Sequence, residues 1–174
     1  MDLALSYLRQ AEDRVRYAGK AQEEGNHAYA VRQCQEAVEL SLKACLWLIG
    51  AEVPKLHDVG PVLREERGSF PGWFAERVDE LAYFSRVLRR EREPSMYGDS
   101  ESGLPPDRLY SKRDSAEALR MAEEVLGLSK RLLEEIRGAS RGRAFFVPLA
   151  QAQRRAIAAL SRPFVGQALR LGIL

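Results

Sequence analysis

The sequence of 174 residues predicts an all-α protein: an antiparallel, up-and-down bundle of four to five helices with a C-terminal helical extension. Two observations predict it. Apolar residues recur three and four positions apart along most of the chain, which is the spacing of one face of an α-helix. Glycine and proline lie between these segments, where helices end. The bundle is assigned to residues 1–137 and the extension to residues 138–174.

The first two predicted helices are long and amphipathic. They cover about 2–24 and 26–50, with Gly25-Asn26 between them and Gly50 at the end of the second, since glycine is common just past a helix end. The apolar side of the first is formed by Leu3, Tyr7, Ala11, Val15 and Ala18. The second carries many small apolar residues, which suit close approach to a neighbouring helix.

Proline and capping residues divide the middle of the chain. Asp58 is the predicted N-cap of a short third helix. A fourth helix is predicted over about 71–93, and Pro94 closes it. Residues 94–112 are rich in Pro, Gly, Ser and Asp and are predicted to form one long loop, a feature that is often functional.

The end of the bundle and the extension follow. A fifth helix is predicted over about 114–137, beginning at a capping box of Asp114 with Glu117. A last amphipathic helix is predicted over roughly 148–170, with an interruption at Pro163.

Composition excludes several classes of protein. No apolar run reaches the roughly 20 residues that span a bilayer, and the first residues do not resemble a secretory leader, so we expect a cytoplasmic protein with no membrane partner. Cys34 and Cys45 lie on one predicted helix about 16 Å apart, too far for a disulfide, and are expected to be buried thiols. Two cysteines and two histidines without ligand spacing predict no metal site, and no cofactor is expected.

Positive charge is unevenly distributed. The net charge is +2, but residues 138–174 contain six arginines and no acid. Arginine outnumbers lysine 22 to 5. This bias fits a GC-rich or heat-adapted source, and it also fits anion binding, because guanidinium groups bind phosphate bidentately.

Four arginines at the end of the fourth predicted helix are candidate phosphate ligands: Arg86, Arg89, Arg90 and Arg92. Helical spacing puts Arg92 on the same side as Leu81 and Leu88, where its charge requires a carboxylate, a phosphate or water. The alternative is that the cluster stabilises the negative end of the helix dipole.

Two further groups complete the candidate residues. Tyr97 follows Arg92 by five positions, and Gly98-Asp99 is a turn pair that supports its loop; the alternative is a tyrosine packed on the bundle. His57 and Asp58 are interpreted as a structural turn, because no partner for acid–base catalysis by His57 can be located in the sequence.

Several of these motifs together resemble the HEPN family over the first 137 residues. The helix YAVRQCQEAVELSLKACLWLIG contains Glu39-x-x-x-Lys43-Ala44, and PKLHDVGPVL is similar to the family's Lys-x-His-Asp element. RxxxxYGD and the alanine-rich AEALRMAEEVL follow in the family's order. The resemblance implies a helical bundle that forms a homodimer and associates with a minimal nucleotidyltransferase.

Many HEPN proteins are metal-independent ribonucleases with an Arg-x(4–6)-His motif, and the resemblance implies Arg92 and Tyr97 as the matching catalytic positions. Tyrosine replaces the histidine, and a phenol with a pKa near 10 is a poor general base. Three hypotheses therefore remain. They are a non-catalytic nucleotide- or RNA-binding module, a ribonuclease toxin of a toxin–antitoxin pair, and a structural module that docks a partner through its basic C-terminal helix.

Overall fold

The structure is a computed structural model that describes residues 1–142. The predicted helix at 148–170 and its break at Pro163 lie outside the described residues. Residues Met1–Gly138 form one compact unit. The division into a bundle and an extension remains a prediction.

Most of the described chain is helical. The helices are α1 (Asp2–Glu23), α2 (His27–Leu48), α3 (Gly60–Glu65), α4 (Gly72–Ala75), α5 (Val78–Arg90), α6 (Pro94–Tyr97), α7 (Pro106–Leu109) and α8 (Lys112–Gly142), with a 3₁₀ turn at Arg67–Ser69. Residues 1–142 contain no β-strand, and an isolated bridge joins Asp99 to Leu104. The predicted all-α class is confirmed.

α1 and α2 form a hairpin whose turn was predicted from the sequence. Gly25 adopts a positive φ of 81°, which costs a residue without Cβ little. Asn26 then caps α2, because its side chain accepts a hydrogen bond from the Tyr29 backbone N–H at 3.2 Å. The two helices are consequently antiparallel neighbours.

Long-range hydrogen bonds fix the direction of α8. Gln22 donates to Ser115 at 3.2 Å and Lys130 to Glu12 at 2.6 Å, so α8 runs antiparallel to α1. The Cys45 thiol donates to Ser129 at 3.1 Å. α2 therefore runs parallel to α8, and both run antiparallel to α1.

The core lies between these long helices. α2 contributes most to it, and its small residues Ala30, Cys34, Ala37, Ala44 and Cys45 are fully buried. α5 and α8 add larger side chains, including Leu81 and Val125. The predicted small-residue face of α2 is thus the face that packs. One expected core residue of α1, Leu3, is instead 41% exposed.

Several predicted boundaries were wrong. The predicted fourth helix is broken at 76–77 and ends at Arg90, three residues before the expected end. The predicted long loop contains α6 and α7, because proline suits the first turn of a helix and starts both.

Two predicted caps are displaced along the chain. α3 begins at Gly60, with Val59 at its N-cap, although Asp58 still accepts from the Gly60 N–H at 3.0 Å. α8 begins with a capping box of Ser111 and Asp114 rather than Asp114 and Glu117. The Ser111 N–H donates to Asp114 at 2.7 Å.

Candidate phosphate-binding site

Four cationic side chains lie at the carboxyl end of α5. Arg86, Arg89 and Arg90 are exposed in its last turns, and Arg92 is half-buried in the turn that follows. Among residues 1–142, none of these guanidinium groups has a carboxylate oxygen within 4.0 Å. The Arg86 guanidinium instead lies 5.9 Å from the centre of the Tyr83 ring. We call these four residues the arginine cluster.

Arg92 is held by its backbone. The predicted continuation of the Leu81–Leu88 stripe to Arg92 was wrong, because α5 ends before Arg92. Arg32 of α2 donates from Nη1 to the Arg92 carbonyl oxygen at 2.7 Å, and the Ser95 hydroxyl donates to the same oxygen at 3.3 Å. These hydrogen bonds fix the turn through the Arg92 backbone and do not involve its guanidinium group.

A chain of ion pairs extends this support to α1. One Glu36 oxygen accepts a hydrogen bond from Arg32 Nε at 2.9 Å, and the other accepts one from Arg14 Nε at 2.8 Å. Burial raises the pKa of Glu36, but its hydrogen bonds and the two positive charges outweigh burial, so the pKa is lowered overall. Glu36 therefore ties α1, α2 and the Arg92 turn together as a carboxylate.

Tyr97, Gly98 and Asp99 lie directly beyond this turn. The Tyr97 side chain is 76% exposed and is not packed on the bundle. Gly98 has a φ of 79°, and a Cβ there would collide with the Leu104 carbonyl oxygen. Asp99 accepts hydrogen bonds from the Ser102 hydroxyl and the Glu101 N–H, which lower its pKa. Gly98 and Asp99 thus build the tight turn that follows Tyr97.

A carboxylate also lies within the cluster's own sequence. Glu91 stands between Arg90 and Arg92, yet its carboxylate accepts a hydrogen bond from the Tyr110 hydroxyl at 2.8 Å. Burial, followed by the hydrogen bond to Glu91 and then the Glu91 charge, raises the pKa of Tyr110. The Tyr110 hydroxyl consequently remains a proton donor at neutral pH.

His57 belongs to a separate polar group on α2. Glu39 accepts hydrogen bonds from Lys43 at 2.8 Å and Gln35 at 3.0 Å, and His57 Nδ1 lies 3.0 Å from a Glu39 oxygen. The His57 side chain is 43% exposed and that of Glu39 is 14% exposed. A carboxylate at Nδ1 orients an imidazole and leaves Nε2 free for other contacts.

Asp58 connects this group to α5. Its carboxylate accepts a hydrogen bond from the Ser85 hydroxyl at 2.9 Å, and Ser85 accepts one from the Val59 N–H at 3.0 Å. His57 and Asp58 therefore fasten the segment before α3 to two helices. Within residues 1–142 no group of three or more His, Cys, Asp or Glu side chains could hold a metal ion.

Sequence reasoning missed Arg32, Glu36 and Tyr110, and it did not pair Glu39 with His57. The spacing of four residues between Arg32 and Glu36 does predict a pair on one helix face. Nothing local indicates that Arg32 also reaches Arg92, which is 60 residues away. Likewise, Glu39 and His57 are 18 residues apart and meet only after the chain turns back.

Comparison with known proteins decides the family. The model of the HEPN domain family matches residues 4–132. The chain belongs to the HEPN domain family.

Two solved structures are similar to this HEPN domain. TT1696 from Thermus thermophilus is 26% identical with a TM-score of 0.61, and the match covers 75% of this chain and 98% of that one. ST0689, an archaeal HEPN homologue, is 22% identical with a TM-score of 0.57, and the match covers 78% of this chain and 99% of that one. No curated protein matches the chain. No described helix is long and apolar enough to cross a membrane.

Within this HEPN domain, the arginine cluster, Tyr97, Gly98 and Asp99 form one continuous surface segment. His57 and Asp58 lie on another segment, which contacts α5 at Ser85. Tyr97 stands five positions after Arg92, and the segment 86–99 contains no histidine that could supply an imidazole in its place.

Proposed function

We propose that this HEPN domain binds a phosphate-bearing ligand, a nucleotide or RNA, through Arg86, Arg89, Arg90 and Arg92. One observation carries the proposal: these four guanidinium groups lack an ion pair among the described residues. Several other arginines, such as Arg14 and Arg64, instead pair with carboxylates. Unpaired arginines at the end of a helix and in the fixed turn after it offer forked donors that match phosphate oxygens.

The test uses a fluorescein-labelled single-stranded RNA and fluorescence anisotropy with the full chain, in the presence of a chelator. Arg92→Ala and Arg89→Ala are each expected to weaken binding by about three- to tenfold, and affinity should fall with rising salt. Arg16→Ala removes the same charge from an exposed pair with Asp13 on α1 and serves as the matched control. If all three variants lower the affinity equally, the arginine cluster is only a solvated helix end and not a binding site.

The same RNA reports on a ribonuclease, the second candidate. It is favoured by the His57 imidazole, which has a carboxylate partner and an exposed edge. Chelator-resistant cleavage that disappears in Arg92→Ala and in His57→Ala would establish that activity. If the RNA stays intact while binding is normal, the ribonuclease is excluded and only the binding function remains.

The proposed partners are a second copy of the chain and a minimal nucleotidyltransferase. Support for a homodimer is the exposure of Tyr83, Met96 and Tyr97 beside the arginine cluster, at 46%, 56% and 76%. This surface is the expected interface, formed by α5 and residues 94–112. Support for the nucleotidyltransferase is the family resemblance, and co-purification with such a protein encoded next to this chain is the matching measurement.

A further inference from the structure

Glu91 is an acid in the middle of the arginine cluster, at the end of α5. It is the C-cap residue of α5, where the helix dipole disfavours a negative side chain. Arg90 and Arg92 are its neighbours in sequence. A free carboxylate there would pair with a guanidinium group and remove one positive charge from the surface.

The structure shows a different arrangement. The Tyr110 hydroxyl donates to Glu91 Oε2 at 2.8 Å, and within residues 1–142 no ion pair between Glu91 and an arginine is present. The Tyr110 ring is half-buried and packs against the core. Because its ring is anchored, its hydroxyl holds the Glu91 carboxylate at a defined place.

We propose that Tyr110 is a positioning residue that keeps Glu91 from neutralising the arginine cluster. This positioning role rests on the proposed function, since it concerns how much positive charge the arginine cluster presents to a phosphate-bearing ligand. Tyr110 need not touch that ligand. Its hydroxyl contributes by occupying the acid that would otherwise compete with phosphate for the guanidinium groups.

Tyr110→Phe tests this directly, because it removes the hydroxyl and keeps the ring that packs on the core. The freed Glu91 should pair with a cluster arginine. Affinity for a fluorescein-labelled oligo-uridine is expected to fall about two- to fivefold, the size of one surface ion pair. The slope of log K against log salt, measured from about 50 to 200 mM, should decrease in magnitude by up to about 0.7, one phosphate contact for a single strand.

The double variant Tyr110→Phe with Glu91→Gln distinguishes positioning from packing. With the acid neutralised, loss of the hydroxyl should have no further effect, so the double variant should bind like Glu91→Gln alone, with the same salt slope. If Tyr110 supported only the fold, the double variant would stay weak and the slope would not change. Tyr17→Phe, at an exposed tyrosine on α1, is the matched control and should bind like the wild type.

The outcomes separate this inference from the proposed function. If the wild type binds, Arg92→Ala weakens it and Tyr110→Phe changes neither affinity nor slope, the positioning role is overturned and the binding function stands. If the wild type fails to bind the oligonucleotide at low salt, both are overturned. Circular dichroism and thermal melts of each variant show that the differences arise in the folded state.

Discussion

Arginine has two separate uses in this domain, and its neighbours decide between them. Arg14 and Arg32 share the Glu36 carboxylate and hold elements together. Arg89 and Arg90 lie exposed on a helix end without an ion pair in the described chain. A guanidinium group thus joins two elements where a carboxylate is within reach, and it remains a hydrogen-bond donor on the surface where none is.

The two cysteines, Cys34 and Cys45, are buried thiols. Burial raises the pKa of both Cys34 and Cys45 to about 12, with a smaller contribution from Glu123 at Cys34. Because the thiolate is the reactive form, native protein near neutral pH should react very slowly with a disulfide reagent such as DTNB. Ala116→Cys, at an exposed position on α8, supplies a fast-reacting control. Rapid release of two equivalents before unfolding would contradict this burial.

At the scale of elements, the ends of helices were harder to predict than their faces. The period of apolar residues in α1 and α2 located both helices within two residues, because a whole face must be buried. The start of α8 depends on which of several polar residues meets a free N–H. Ser111 and Asp114 do so three residues before the predicted pair, which the sequence alone does not distinguish.

Asp114 and Glu117 therefore behave differently on substitution. Asp114→Ala should lower the free energy of unfolding by about 0.5–1 kcal/mol through loss of the cap, and Glu117→Ala should change it little. Chemical denaturation of the two variants measures the difference. A larger effect at Glu117 would restore the sequence-based assignment.

The Asp114 cap also has a pH dependence. The Ser111 hydroxyl and backbone N–H lower the pKa of Asp114. A group with a lowered folded pKa stabilises fully above its unfolded pKa, near 3.9, and loses this effect as pH falls through the folded value. The advantage of wild type over Asp114→Ala should thus narrow below about pH 4.

At the scale of the whole molecule, the sequence predicted the class and family, while long-range contacts set the site. Helical periodicity needs only local spacing, so the bundle could be predicted from composition and pattern. The pairing of Arg32 with the Arg92 carbonyl and of Tyr110 with Glu91 depends on how α2, α5 and the segment before α8 come together. No single window of sequence contains those pairs.

Glu36 joins α1 to α2 and supports the Arg92 turn through Arg32. Glu36→Gln should lower the free energy of unfolding by about 1–2 kcal/mol, since two partly buried guanidinium groups lose their counter-charge. The contribution of Glu36, whose pKa is lowered in the fold, should be present above its unfolded pKa near 4.3 and decline as pH falls further.

The matched control is Glu12→Gln, which breaks an exposed pair with Lys130. It should cost about 0–0.5 kcal/mol. The Glu36 variant should also bind phosphate ligands more weakly than the control, because its Arg92 turn is less well supported. Equal stability of the two variants in denaturant titrations would show that the three-element tie contributes little.

The contact between α3 and α5 limits how related chains can vary. A Cβ at Gly60 would lie 2.9 Å from the Ala82 carbonyl oxygen, which is closer than real Cβ atoms come, and a tight 3.1 Å from the Ala82 Cβ. Any larger side chain must therefore push α3 outward and draw the neighbouring Asp58 away from Ser85. Glycine at this position therefore sets the distance between α3 and α5. In HEPN chains with a larger residue here, the distance between these two helices should be greater.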